Sequence, residues 1–344
     1  MKVLHVADTH VGNRQYGLET RQRDFLHAFD QAIDIAVHAR VDAVVHAGDL
    51  FDHPRPSLTD LRGVISALSR LRDARIPFLG VVGNHEMRRD GDWLDLLEEI
   101  NLATHLGPEP VDVNGWRFVG VDFQGRRHVA LPEAESHAVV AHQLVDALQT
   151  KSELGLADCY RSGYDWVLLG DWHEPELWTE GGVTVTYPGS TERCSSIERQ
   201  TRGVNLIDLD SGDVRHQSMD TRPFYFVEAA DEWEDLVAAE SLEGSIVCLR
   251  PFEGMPDWHA VEGELTQRGV LHLQPLDPHD DGEEAPRDEM PFQMEAPEVQ
   301  TLVEGRLHAE LSDTGVAIEQ VIRDPEVADS RVDPTVKALI QPDE

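Results

Sequence analysis

Along the first 220 residues a short apolar run, a polar break and a segment of helical periodicity recur in turn. Residues 3–7 (VLHVA) are apolar and stop at Asp-Thr-His. Phe25, Phe29, Ile33 and Val37 then recur every four residues, which predicts one amphipathic helix over 21–38. A second apolar run, 41–49 (VDAVVHAGD), is followed by an amphipathic segment at 61–76, and a third run, 77–86 (PFLGVVGNHE), follows that. Residues 137–143 (HAVVAHQ) and 164–173 (YDWVLLGDWH) repeat the strand pattern, as do 182–190 and 203–210. Beyond 220 the segments 224–229, 231–242, 245–252, 257–269 and 270–276 read as β-α-β-α-β, a small second domain. The fold class expected is α/β (α+β). Its domains are residues 1–220, 221–276, an acidic linker at 277–296 and a helical tail at 297–344. In that tail Leu302, Val303, Leu307 and Leu311 share one face.

Five of the apolar runs end in polar residues able to bind metal: Asp8 and His10, Asp49, Asn84 and His85, His142, and Asp171 with His173. In open α/β sheets, sites form beyond the carboxyl ends of the strands, so the five clusters are expected on one rim. Every donor is oxygen or nitrogen and none is sulfur, a set that suits Mn²⁺, Mg²⁺ or Fe²⁺. Alternate residues of an extended segment point the same way, so Asp8 and His10 can face one ion, as can Asp171 and His173. A glycine precedes Asp49, Asn84 and Asp171, which lets the backbone turn close to the ions. Two such ions about 3.5–4 Å apart are the apparatus of phosphate-ester hydrolysis. That apparatus needs a shared carboxylate, and Asp49 is the best candidate. Taken singly the clusters have plainer readings: a strand-end turn at Asp8–His10, a helix cap at Asp49, a core histidine at His142. The Gly-Asn-His-Glu turn at 83–86 is more specific, and the five in order are more specific still.

Composition narrows the setting. Asp and Glu number 65 against 29 Lys and Arg, a formal charge of −36, and only Lys2, Lys151 and Lys337 are lysines. Acid spread along the whole chain points to a protein that works in concentrated salt, as in a halophile. There the Debye length shrinks to roughly 3 Å and self-repulsion is screened. Under such salt, counterion release is a weak source of affinity, so the charge neither supports nor excludes DNA as a partner. Three distant cysteines without a CxxC spacing argue against disulfides or a thiolate zinc site. The chain enters a strand at once, without a signal peptide or an apolar run of about 18 residues, so a cytoplasmic location and no membrane are expected.

The pattern DxH…GD…GNHE…H…DxH resembles the calcineurin-like metallophosphoesterase superfamily. The stretches MKVLHVADTHVG, RQYGLETRQRDFLHAF, GDLFDHPRPS, VVGNHE, AHQ and TYPGSTER resemble its double-strand-break repair nucleases of the MRE/SbcD type, over roughly residues 1–215. The resemblance implies a four-layer β-sandwich flanked by helices, in place of one open sheet, and a capping domain after it. It implies two Mn²⁺ ions (Mg²⁺ or another divalent ion being possible). One would be held by Asp8, His10, Asp49 and His173, the other by Asp49, Asn84, His142 and Asp171, with His85 acting on the phosphoryl group or its leaving oxygen. Tyr16, Arg21 and His53 are candidates for substrate contact. The family usually has His where Asp171 stands, and some members have His where Asp52 stands. The partners implied are DNA ends, a coiled-coil ABC-type ATPase and a second copy of the chain. The expected activity is a Mn-dependent exo- or endonuclease in double-strand-break repair. A general phosphodiesterase or phosphatase on small nucleotides and a catalytically weak DNA-binding scaffold are the alternatives; the second domain weighs against the former and the intact donor set against the latter. Trp166, Trp172 and Trp178, read as packing rather than a base-stacking surface, and Arg126 and Arg127, read as a solvated pair, complete the candidates.

Overall fold

The computed structural model describes residues 1–88, 91–125, 128–132, 137–149 and 152–276. Arg126, Arg127, the linker at 277–296 and the tail at 297–344 lie outside the described residues. The chain runs β1 (Lys2–Val6), α1 (Glu19–Ala39), β2 (Ala43–Ala47), α2 (Leu58–Ala74), β3 (Phe78–Val81), α3 (Trp93–Glu99) and β4 (Thr104–His105). It continues through β5 (Val111–Val113), β6 (Trp116–Val121), β7 (Ala138–His142), α4 (Leu156–Arg161), β8 (Trp166–Gly170), β9 (Glu176–Glu180) and β10 (Val183–Tyr187). The last elements are β11 (Gly203–Asp208), β12 (Asp213–Ser218), β13 (Phe224–Val227), α5 (Ala230–Ala238), β14 (Ile246–Leu249), α6 (Trp258–Gln267) and β15 (His272–Pro275).

Two six-stranded sheets form, in the orders β12-β11-β1-β2-β3-β4 and β5-β6-β7-β8-β10-β9. The apolar strand pattern explains why they stack. Both faces of the central strands are apolar, so each face needs a cover. Val3, Val45, Leu79 and Val81 from the first sheet pack against Phe118, Val140, Trp166 and Leu168 from the second. The alternate residues Leu4, Val6, Val44 and Phe78 meet α1 and α2 on the far side. Val139, Val167, Leu169 and Val185 carry the outer layer of the second sheet, with Cys159 of α4 and Trp172 and Trp178 against them. The layers are thus helix, sheet, sheet, helix. A single open sheet, which the strand-end pattern alone suggests, does not form, because β1–β3 and β7–β8 belong to different sheets. All five strands nevertheless end on one rim. Strand β5 and β6 pair as a hairpin about Asn114–Gly115, both at positive φ, an Asn-Gly turn signal that the strand pattern above passes over.

Residues 224–275 form the β-α-β-α-β succession that the local alternation predicts, within the same compact unit as the two larger sheets. Its parallel sheet β13-β14-β15 buries Val227, Val247 and Leu249 under Trp233, Leu236, Val261 and Leu265 of its two helices. It meets the larger domain through a bidentate pair between Arg222 and Asp24, both contacts 2.6 Å long, and through Tyr16, whose ring stacks on His272 at 4.2 Å.

Candidate functional site

Four of the donor residues sit where the backbone turns left-handed: Asp8 (φ 51°), His10 (φ 41°), Asp49 (φ 55°) and Asp171 (φ 89°). Left-handed backbone is uncommon outside glycine and concentrates at functional sites. It also corrects one expectation. Asp8 and His10 do not converge by strand alternation, since β1 ends at Val6; they converge because the chain coils back beyond it. The glycines act chiefly through space. A Cβ on Gly83 would lie 2.0 Å from Asp49 Oδ1, one on Gly48 2.4 Å from His142 Nδ1, and one on Gly170 2.1 Å from the Ala47 carbonyl oxygen.

These turns gather Asp8, His10, Asp49, His142 and Asp171, all buried, with Asn84, His85 and His173 partly open to solvent at the edge. Asp8, His10 and Asp49 offer donor atoms that all lie within 4.8 Å of one another. Asp49 Oδ2 lies between two imidazoles, 3.7 Å from His10 Nε2 and 3.3 Å from His142 Nε2. Its Oδ1 accepts a hydrogen bond from the His85 N–H at 2.9 Å. His142 Nε2 also faces Asn84 Oδ1 at 2.9 Å and Asp171 Oδ1 at 3.6 Å. The Asp171 N–H donates to both oxygens of Asp8 at 3.2 Å, tying the last strand end to the first.

The histidines share one arrangement. In each, Nδ1 faces an acceptor outside the cluster: the Asp52 carboxylate for His10 (3.3 Å), the Ala47 carbonyl for His142 (2.7 Å) and Glu198 for His173 (2.7 Å). For His142 and His173 these acceptors assign the proton to Nδ1 and turn Nε2 toward the cluster, whereas the Asp52 carboxylate lies beside His10 Nδ1 without forming a hydrogen bond. Outer carboxylates and carbonyls that fix the tautomer in this way are the usual support of imidazole metal ligands. The donor set therefore fits divalent cations. The charge balance agrees. Burial lowers the basicity of His10 and His142, yet the surrounding carboxylates outweigh it and push them up to about 9 and about 10. Burial would raise Asp49, but the neighbouring imidazoles hold it well below the usual carboxylate range. The carboxylates gathered around these imidazoles are the negative charge that a bound cation would balance.

Several contributors are not legible in the spacing. Glu86 braces the site by accepting from the N–H groups of Leu50, Phe51 and Gly83. Its place inside the Gly-Asn-His-Glu turn is the one cue the chain offers. Glu198 lies 25 residues beyond His173 in a loop, receives the Cys194 N–H at 2.9 Å and meets Arg202 at 3.2 Å. Asp52 stands beside His10 Nδ1 with its carboxylate and accepts from His85 Nδ1 with its carbonyl oxygen at 3.2 Å. Cys194 brings a sulfur beside His10 and His173, so the absence of sulfur expected from the five clusters does not hold for the site as folded.

Of the three substrate-contact candidates, Arg21 and the Tyr16 hydroxyl turn inward and His53 stays exposed. Arg21 is fully buried, paired with Asp24 at 2.8 Å and Glu192 at 3.3 Å, and donates to the Gln15 side chain and the Arg193 carbonyl. It cannot reach a DNA backbone; it joins α1 to the loop after β10. Replacing it with Ala is expected to destabilise the fold by about 3–5 kcal/mol, because Glu192 then keeps a buried charge without its partner. Chemical denaturation in molar KCl measures this, and a loss under 1 kcal/mol would contradict it. The Tyr16 hydroxyl is buried and its ring packs under the second domain with Ile246, Cys248 and Leu276. His53 is exposed, its Nδ1 accepts from the Arg55 N–H, and it lines a groove of about 530 Å³ with Arg14, Arg23, Arg55 and Asp52. That groove touches the site only through Val11 and Asp52. Trp166 is core, and Trp172 and Trp178 pack at its margin, as the packing reading has it.

The calcineurin-like phosphoesterase superfamily domain matches residues 1–212. The DNA double-strand break repair protein Mre11 of Haloferax volcanii is 37% identical over 99% of this chain and 81% of that protein. The Mre11 of Methanosarcina mazei is 34% identical over 97% of this chain and 58% of that protein. The Mre11 of Halobacterium salinarum is 42% identical over 66% of this chain and 62% of that protein. The chain thus spans less than two thirds of the last two relatives. Among the described residues no helix is long and apolar enough to cross a membrane.

Proposed function

Since the chain belongs to the calcineurin-like phosphoesterase superfamily, and within it to the Mre11 family of DNA double-strand break repair proteins, we propose that it is a metal-dependent nuclease cutting phosphodiester bonds at DNA ends. The observation that carries the reading is Asp49 Oδ2 standing between two inward-facing imidazole nitrogens, at 3.7 and 3.3 Å. One ion would be held by Asp8, His10, Asp49 and His173, the other by Asp49, Asn84, His142 and Asp171, with Mn²⁺ the favoured metal for so hard a set. When bound, such ions supply Lewis-acid polarisation of the phosphoryl oxygens and activation of the attacking water.

The chain's own residues do the rest. The Ala47 carbonyl and Glu198 hold His142 and His173 in the tautomer that presents Nε2, and the Asp52 carboxylate stands beside His10 Nδ1. His85 donates from Nδ1 to the Asp52 carbonyl, so Nε2 is the nitrogen that would meet the phosphoryl group or leaving oxygen. Burial holds His85 below the usual imidazole range, so a proton that Nε2 takes up beside a bound phosphate would pass readily to the leaving oxygen. The groove beside the site sets Arg14, Arg23 and Arg55 among Glu19, Asp52 and Asp60, so it would offer DNA individual guanidinium contacts without a net basic surface. The acidic surface suits concentrated salt, where affinity must come from such local contacts and hydrogen bonds. From family membership we further propose a homodimer and a coiled-coil ABC-type ATPase partner, with the second domain as the cap over the site.

The test is direct. Protein purified in molar KCl with Mn²⁺ receives linear duplex DNA, single-stranded DNA and bis-p-nitrophenyl phosphate, beside a His85→Ala variant. DNA cleavage is expected, with kcat in the variant lower by about 10²–10⁴-fold and bound metal unchanged. Turnover of the small ester without DNA cleavage would replace the reading with a general phosphodiesterase. Bound metal without any activity would leave a scaffold.

A further inference from the structure

The proposed centre is not uniformly hard. Cys194, in the loop after β10, places its Sγ, with one nitrogen each of His10 and His173, in a set whose members all lie within 4.8 Å of one another. The two Nε2 atoms are 3.4 Å apart. Two nitrogens each about 2.0–2.1 Å from a tetrahedral zinc are separated by about 3.3–3.4 Å. The spacing already matches one edge of such a site. His173 is held there by Glu198 at 2.7 Å, and Cys194 is held by the same carboxylate, which accepts its N–H at 2.9 Å. One buried glutamate therefore fixes two of the three donors. Nothing in the hydrolytic reading uses a thiol at this position.

We propose that His10, His173 and Cys194 form a second, thiophilic mode of the centre that binds Zn²⁺ through two imidazole nitrogens and one thiolate. Binding displaces the thiol proton to solvent, and the fourth corner stays open. The inference shares His10 and His173 with the proposed nuclease centre and goes beyond it by giving the site a soft face. Soft thiolate selects zinc over the hard ions, so Zn²⁺ and Mn²⁺ compete for the same two histidines and zinc inhibits manganese-supported hydrolysis. The other two cysteines, Cys159 and Cys248, are buried in separate clusters and serve as internal controls.

The experiment adds Co²⁺ to metal-free full-length protein in molar KCl without oxygen. Wild type is expected to show a sulfur-to-cobalt charge-transfer band that Zn²⁺ abolishes by displacement, and Cys194→Ser is expected to lack it. Zinc affinity should fall in the variant by at least about 10- to 100-fold, the range that loss of an outer partner alone produces. Zinc X-ray absorption of the wild type needs no variant and should show one sulfur at about 2.3 Å. Bound cobalt and zinc with only nitrogen and oxygen neighbours, or a band that survives in Cys194→Ser, would overturn the soft mode while leaving the nuclease centre standing. No bound metal of any kind would overturn both.

Discussion

Asp49→Asn is expected to lower manganese-supported cleavage of duplex DNA by roughly 10³-fold or more, about 4 kcal/mol of lost transition-state stabilisation. The substitution keeps the volume and one carbonyl oxygen but removes the charge. It acts at the carboxylate that faces both His10 and His142, and that also receives the His85 N–H. An amide nitrogen in place of Oδ2 would turn a donor toward two imidazoles. Both proposed ions lose a ligand at once, so bound manganese per chain should fall together with kcat. Fold integrity is checked by circular dichroism in the same salt. Activity within tenfold of wild type would sink the assignment of Asp49 as the shared ligand. It would leave the family membership untouched.

Gly83→Ala should be nearly as damaging for a different reason. The added Cβ would lie 2.0 Å from Asp49 Oδ1 and 2.4 Å from the Asp49 backbone nitrogen, so neither a rotamer change nor a small shift relieves it. The turn carrying Asn84 and His85 must move away from the turn carrying Asp49. We expect a stability loss of about 1–3 kcal/mol from overpacking. A displacement of about 1 Å should cost about 10²-fold in kcat. Gly107→Ala is the control: nothing lies within 4 Å of its added Cβ, and both measures should stay near wild type. Equal effects at the two positions would show that the loss is a generic glycine effect and not a collision at the site.

The elements of this fold were legible wherever period and length agreed. The Phe25–Phe29–Ile33 stripe became α1, and each apolar run that ended in Asp, Asn or His became a buried strand. The β-α-β-α-β reading of 224–276 holds for the same reason, its alternation being local. The strand pattern alone points to one sheet, because apolar faces say that they must be covered and not by what. Only stacking of Val45 and Leu79 on Val140 and Leu168 makes a sandwich.

The site divides along the same line. The sequence determined which donor types stand at the strand ends, and therefore the oxygen and nitrogen character of the proposed metal centre, since ligand identity is a property of residues. Arg21, Tyr16 and His53 show the limit of reading by proximity in sequence. Tyr16 and Arg21 follow the first donor pair and His53 follows Asp49, yet the first two turn into packing and the third lines a groove beside the site. The tertiary structure decided which way each donor points. Left-handed turns at Asp8, His10, Asp49 and Asp171 aim them inward, and Ala47 and Glu198 set the tautomers of His142 and His173. It also brought in Cys194, which no spacing announces. Chain composition limits what atoms are available, but the direction of a lone pair depends on contacts between segments far apart in the chain.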